Sequence, residues 1–178
     1  MDIFDREKVL ESFEILVDTR EQFSKRAEAR YTSFGSPYKR ATLNYGDYTY
    51  NATLPDGTNI LDVSDTVQPL CAVERKMNLD ELAQCFTHSR ARFEREFKRA
   101  KENGARIYLL VENANWENLI NGKYRSRFNS KAFIASAIAW QIRYDLQLLF
   151  CKEETSGQLI KEILYRDLKE RLENGEFG

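Results

Sequence analysis

Leu70-Cys71-Ala72-Val73-Glu74-Arg75-Lys76-Met77-Asn78-Leu79-Asp80 is the stretch on which the fold turns. Four apolar residues run directly into three charged ones. The apolar run reads as a buried strand. Charge at the end of such a strand costs solvation energy unless a partner or a cation replaces the lost water. Residues two apart on a strand share a face, so Glu74 and Lys76 point to one side and Arg75 to the other. A carboxylate and an ammonium on one face suit a divalent cation held by the acid, with the amine beside an attacking water or an anionic substrate. Taken alone, the pair is more often simply a solvated strand end, and the surrounding chain has to decide.

Downstream, Asn78 to Asn103 predicts one long helix with a weak point near Thr87, closed by Asn103-Gly104. Leu79, Leu82, Ala83, Phe86, Phe93, Phe97 and Ala100 form a stripe at helical spacing and read as core. Arg90 falls within that stripe, which places it near the strand end, where it would pair with Asp18 or Glu21 or touch a phosphate. Arg92, Arg95 and Arg99 fall on the opposite face with Glu94 and Glu96 interspersed. That face reads as a phosphate track or, with equal weight, as a solvated surface. Ile107 to Glu112 is a continuous apolar run suited to a strand covered on both faces. Trp116 to Asn121 predicts a short helix. Lys123, Tyr124, Arg125 and Arg127 make Gly122 to Asn129 a basic, aromatic loop, suited to single-strand or junction contact or simply an ordinary surface loop. A helix from Ser130 to Tyr144 carries Trp140 into deep core or a dimer interface. A strand from Leu146 to Cys151 and an amphipathic helix from Ser156 to Leu172 follow.

Upstream, Met1 to Glu11 reads as a lead-in helix and Phe13 to Val17 as a strand ending in Asp18-Thr19-Arg20-Glu21. Gln22 to Arg30 is helical and Tyr31 to Lys39 a loop broken by Gly35-Ser36-Pro37. Ala41 to Tyr45 and Tyr48 to Leu54 alternate as strands around Gly46-Asp47. Pro55-Asp56-Gly57-Thr58 then turns the chain into a hairpin partner at Asn59 to Val63. Strands first, then helix and strand in alternation, predict an α/β fold with a central mixed β-sheet flanked by helices. The expected division is a lead-in at 1–12, one domain at 13–172 and a tail at 173–178.

Composition sets the outer bounds. At 178 residues, 42% hydrophobic and 31% charged, the chain builds one core and is neither disordered nor membrane-spanning. A net charge of −1 means that any DNA-binding surface is a local basic patch. Cys71, Cys85 and Cys151 are odd in number and form no CxxC pair, which predicts free thiols in a reducing compartment. With no leader-like stretch, a cytoplasmic protein is expected, in the host cytoplasm if phage-encoded. The lone His88, off the core stripe, argues against histidine-dependent nucleases and serine-hydrolase triads.

Three acidic clusters thus stand at strand ends: Asp18 with Glu21, Asp47, and Glu74 with Lys76. Together they match a divalent-metal phosphodiesterase site, which needs several oxygen ligands and open positions for phosphate and water. Asp47 and Glu74 are the expected metal ligands, completed by a carbonyl beside Glu74, that of Arg75. Lys76 would orient the water and offset transition-state charge. Asp18 and Glu21 would bind a second metal or hold the cations in place, and Arg20 would contact phosphate or these carboxylates.

Gly46-Asp47-Tyr48 followed by Glu74-Arg75-Lys76-Met77-Asn78-Leu79-Asp80 resembles the GDx(n)ERKx3D signature of the XPF/Hef-type structure-specific endonuclease family. Val17-Asp18-Thr19-Arg20-Glu21 resembles that family's first motif, and the resemblance covers about residues 13 to 170. It implies a PD-(D/E)XK nuclease-like fold with Asp47 in the D position and Glu74-Arg75-Lys76 in the ExK position. It implies Mg²⁺, with Mn²⁺ substituting, and cleavage of branched DNA such as flaps or splayed arms in repair, recombination or replication. It also implies a homodimer paired through the nuclease domain. The chain departs from larger relatives in having no room for a helicase domain and no tandem helix-hairpin-helix module, so it resembles a stand-alone, phage- or prophage-type nuclease domain. The Tyr48 to Pro69 segment makes the gap between motifs long. Two other readings stand beside the nuclease. One is a nuclease-fold DNA-binding or scaffold subunit without catalysis, although such subunits lose motif acids or the lysine, and Asp18, Glu21, Asp47, Glu74 and Lys76 are all present. The other is a restriction-type enzyme reading duplex DNA, which shares the fold.

Overall fold

Strand β4 (Cys71–Lys76) lies inside a six-stranded sheet ordered β2-β1-β3-β4-β5-β6. The other strands are β1 (Glu14–Asp18), β2 (Tyr38–Ala41), β3 (Tyr48–Asn51), β5 (Arg106–Glu112) and β6 (Leu146–Cys151). The computed structural model describes residues 1–177. The sheet is mixed: β1 and β2 run parallel, β3 is antiparallel to both neighbours, and β4, β5 and β6 are parallel. Parallel neighbours require long crossovers. Helices α3 (Leu79–Phe86) and α4 (Arg90–Glu102) supply one, and α5 (Trp116–Ile120) and α6 (Ser130–Tyr144) the next. Helices α1 (Ile3–Glu11), α2 (Lys25–Ser33) and α7 (Glu153–Glu173) cover the opposite face.

The strand period sorts β4 between two cores. Ala72 packs with Phe86, Phe93, Phe97 and Trp140 beneath α3, α4 and α6. Cys71 and Val73 pack with Ile160, Leu164 and Leu168 of α7. The same alternation carries Glu74 and Lys76 to the α4 side and Arg75 to the α2 side. Each fully buried side chain of this kind contributes about 1.5–3 kcal/mol, which is what holds three charges at the end of a buried strand. A third, small cluster of Leu16, Leu43, Leu61 and Val67 closes the sheet beside β1.

The expected weak point near Thr87 is a full break, at Thr87–Ser89, and several other local expectations are corrected. The Thr87 hydroxyl bonds back to the Ala83 carbonyl at 3.0 Å and the Ser89 N–H turns to the Gln84 carbonyl, so the helical ladder stops and restarts. All seven stripe residues are buried, but the restart leaves Arg90 exposed and bonded to Glu94 at 2.9 Å. It belongs to neither the stripe nor the strand end. The expected loop at Tyr31 to Lys39 is shorter, because α2 runs to Ser33 and β2 begins at Tyr38. Ala41 to Tyr45 leaves the ladder after Ala41, with a single parallel bridge from Leu43 to Val67. The hairpin after β3 reduces to one bridge, Thr53 to Asn59. There the Asn51 side chain takes the place of ladder bonds, accepting the Ala52 and Leu61 N–H groups and donating to the Leu61 carbonyl.

Two features tie the second layer down. Gly157 of α7 sits so close to α2 that a Cβ would lie 1.9 Å from Ser33 Oγ and 2.4 Å from the Arg30 carbonyl oxygen. Helix α1 lies on α7 and buries Val9. Among the described residues no helix is long and apolar enough to cross a membrane.

Candidate active site

The site is built where the ends of β1, β3 and β4 meet. Gly46 has φ +76°, and a Cβ there would lie 2.7 Å from Ala72 Cβ. Both the backbone conformation and the close approach require glycine. The next residue, Asp47, is clamped between two strand ends: its N–H donates to the Val73 carbonyl at 2.9 Å and its carbonyl accepts the Asp18 N–H at 2.8 Å. Its Oδ2 accepts the Arg75 N–H at 2.7 Å. Asp47 is thereby fixed against the Glu74-Arg75-Lys76 strand end.

Across from it, the buried Lys76 ammonium donates to Glu74 Oε1 and to the Arg75 carbonyl, the latter at 3.1 Å. It also sits 4.7 Å from the Phe93 ring centre. Burial, and then the neighbouring Asp47, push the Glu74 carboxyl well above the usual carboxylate range. Burial and then Glu21 push Asp47 the same way. Burial opposes the Lys76 charge, but Glu74 and Asp47 outweigh it and hold the amine protonated. Two crowded acids and one captive ammonium therefore share a cleft of about 200 Å³.

Glu96 of α4 also lines this cleft. Only 7% exposed, it accepts the Gly46 N–H at 2.9 Å through Oε1. The sequence reading placed it on the outer face among the arginines. Its spacing to Phe93, Phe97 and Ala100 is that of the buried stripe, and that signal would have found it. Of the arginines, Arg92 is exposed, lies against the Phe93 ring at 4.4 Å and lines the cleft. Arg95 is exposed, and Arg99 bonds the Asn44 carbonyl at 3.2 Å, two residues before Gly46.

Arg75 points through the sheet to a second set of charges. It donates to Glu112 at 3.0 Å and pairs with Glu21 at 3.6 Å. Arg30 donates to the other Glu112 oxygen at 3.2 Å, to Glu21 at 3.3 Å and to the Tyr48 hydroxyl at 3.1 Å, while that hydroxyl donates to Glu21 at 2.9 Å. Arg30 and Glu112 side chains are 3% and 1% exposed. Removing one member of so buried a pair costs about 3–5 kcal/mol, so this network is a scaffold for the strand ends. Arg30, Tyr48 and Glu112 were not expected at the site. Glu112 offered a signal, being a charge that ends an apolar run, as Glu74 does.

Asp18 is fully engaged. Its carboxylate accepts Arg20 Nε at 2.7 Å and Nη2 at 3.0 Å, the Arg20 N–H at 2.7 Å and the Leu43 N–H at 2.9 Å. It holds Arg20 at the rim of the cleft, where that side chain is 62% exposed. Asp80 plays a comparable part at the start of α3. Its Oδ1 accepts the Arg125 and Ser126 N–H groups, each at 2.7 Å. The basic loop is thus pinned to α3, with Lys123, Arg125 and Arg127 exposed and Tyr124 and Phe128 packed against Phe133.

The donor set fits a divalent cation. Asp47, Glu74 and the Arg75 carbonyl are hard oxygens. The cleft carries five carboxylates (Glu21, Asp47, Glu74, Glu81, Glu96) against four cations. Among the described residues no three acidic, histidine or cysteine side chains are gathered closely enough to hold an ion by themselves. The carbonyl and water would complete the shell, as hard cations with few carboxylate ligands allow.

The model of the ERCC4 domain family matches residues 17–163. Among solved structures, XPF from Aeropyrum pernix is similar at 21% identity over 92% of this chain and 69% of that one, with a TM-score of 0.59. The same protein in complex with DNA is similar at 24% identity over 88% of this chain and 65% of that one, with a TM-score of 0.57. The chain therefore spans about two thirds of those chains. No curated protein matches it.

Proposed function

This chain belongs to the ERCC4 domain family and shares the XPF-type nuclease fold, and from that premise we propose that it is a divalent-metal-dependent DNA endonuclease acting on branched DNA. The observation that carries the reading is the convergence of Asp47, Glu74 and Lys76 on one cleft, with Arg20 and Arg92 at its edge. Asp47, Glu74 and the Arg75 carbonyl would hold the cation. A bound Mg²⁺, with Mn²⁺ substituting, would polarise the scissile phosphate and make water a better nucleophile. Lys76 donates hydrogen bonds to Glu74 and to the Arg75 carbonyl in the same cleft. It orients the attacking water and offsets charge on the phosphorane-like transition state. Arg20, held by Asp18, and Arg92 contact the non-bridging oxygens. Arg75 and its partners Glu112, Arg30 and Glu21 keep the strand end from shifting.

Preference for branches is supported by the pinned loop, whose Lys123 and Arg125 offer a grip on a second arm beside the cleft. The exposed arginines of α4 extend the basic edge. Pairing of two copies is supported by α6, which buries Trp140 but leaves Ile138 and Ile142 41% and 77% exposed. The role would lie in repair, recombination or replication of DNA, in the cytoplasm.

The test is cleavage of labelled flap, splayed-arm, Holliday-junction and plain duplex DNA in Mg²⁺, Mn²⁺ or EDTA, comparing wild type with Asp47→Asn. Metal-dependent cutting of a branched substrate, lost in the variant while binding is kept, is the expected result. Normal turnover by Asp47→Asn would overturn the site. Binding without cutting on every substrate would replace the enzyme with a DNA-binding subunit.

A further inference from the structure

Hydrolysis of a phosphodiester needs an acceptor for the proton that the attacking water gives up. Of the five carboxylates that line the catalytic cleft, Asp47 and Glu74 are the expected ligands of the cation. Glu21 is ion-paired to Arg30 and Arg75 and accepts the Tyr48 hydroxyl. Glu96 is buried, with one oxygen on the Gly46 N–H. Glu81 is left. It stands in the first turn of α3, five residues beyond Lys76, and is half-buried. That turn fixes it twice: Asn78 accepts the Glu81 N–H at 2.9 Å, and Glu81 Oε2 accepts the Met77 N–H at 2.6 Å. Its Oε1 has no hydrogen-bond or ion-pair partner among the described residues. A second space, of about 310 Å³, adjoins the cleft, and Glu81 lines both. Exposed Gln22, Ser24 and Arg26 open that space to solvent. Glu81 therefore faces the cleft on one side and bulk water on the other, the position required of a group that takes up a proton and gives it away once per turnover.

Resting on the nuclease reading, we propose that Glu81 is a further catalytic residue, the general base of the hydrolysis. Its free Oε1 takes a proton from the attacking water as the water oxygen bonds to phosphorus. The bond from phosphorus to the leaving sugar oxygen breaks with its electron pair on that oxygen, which takes a proton from solvent. Glu81 then releases its own proton to solvent through the second space. Lys76 orients the water and Glu81 deprotonates it. The other duty of Glu81, closing the start of α3, is separable, because a glutamine keeps an oxygen for the Met77 N–H but accepts no proton.

The experiment compares wild type, Glu81→Gln and Glu81→Ala on labelled flap, splayed-arm and duplex DNA. Single-turnover cleavage is read in Mg²⁺, DNA affinity by fluorescence anisotropy in Ca²⁺, Mn²⁺ affinity by calorimetry, and stability by urea unfolding. Glu81→Gln is expected to keep wild-type stability, DNA affinity and Mn²⁺ affinity while cleavage slows about 10²- to 10⁴-fold. Glu81→Ala slows at least as much, and added formate or acetate restores part of its rate while leaving Glu81→Gln unmoved. Wild-type cleavage by Glu81→Gln would overturn the proposal and reduce Glu81 to its place at the helix start. Weakened Mn²⁺ binding by Glu81→Gln would overturn it by making Glu81 a ligand of the cation. Glu81→Ala indifferent to formate and acetate would overturn it as well. Absence of cutting by wild type on every substrate would overturn the nuclease reading and this role together, whereas the other three results leave the nuclease reading standing.

Discussion

Glu96 shows how a single side chain outside the motifs can set the position of one inside them. Its carboxylate takes the N–H of Gly46, a group that lies against β4 with no room for a side chain of its own. Glu96→Ala leaves that N–H buried and unpaired, and should cost about 1–3 kcal/mol in urea unfolding along with much of the cleavage rate. Glu96→Gln keeps the acceptor and should restore both. Failure of Gln to rescue would mean that the charge, not the bond, is what the site uses. Asp47, Glu74 and Lys76 were legible because charge beside an apolar strand is conspicuous in one dimension. Arg30, Glu112 and Glu96 were not, because their partners lie far off in sequence and are set by which strand ends become neighbours.

At the scale of elements, packing rather than propensity decided what the sequence left open. The helix after β4 breaks because Thr87 turns its hydroxyl onto the preceding turn, and the break turns Arg90 outward. Strands with a clear apolar run, such as β5 and β6, were legible almost to the residue. The Asn51 side chain, standing in for a ladder, was not, because an asparagine carries no periodic signal. Helix α2 depends on a glycine of α7 for its seat. Gly157→Ala would drive a methyl group into the Arg30 carbonyl and should lower stability by about 1–3 kcal/mol, measured as a shift of the urea midpoint at unchanged m-value. Because Arg30 anchors Glu112 and Glu21, cleavage by the folded fraction should fall as well. Full activity per folded molecule would show that the scaffold tolerates a displaced α2.

For the whole molecule, the order of strands could be read only in part: the mixed character followed from strands preceding helices, but not the insertion of β3 between β1 and β4. That insertion is what brings Asp47 to Glu74. On the outside, Ile138 and Ile142 lie one helical turn apart on α6, the face proposed for self-association. Ile138→Asp with Ile142→Asp should convert a dimer into a monomer in sedimentation velocity without lowering the melting temperature. A wild type that sediments as a monomer at every concentration would remove the pairing. One attachment also bears on where a cut falls. Asp80 stands four residues beyond Lys76 and carries the basic loop on its carboxylate. On the nuclease reading, grip and blade are mounted on the same short bracket, so the offset between a held arm and the broken bond behaves as a ruler. Lengthening that bracket by one residue would move the mark, whereas changing the loop's charges would alter only how firmly the ruler is held.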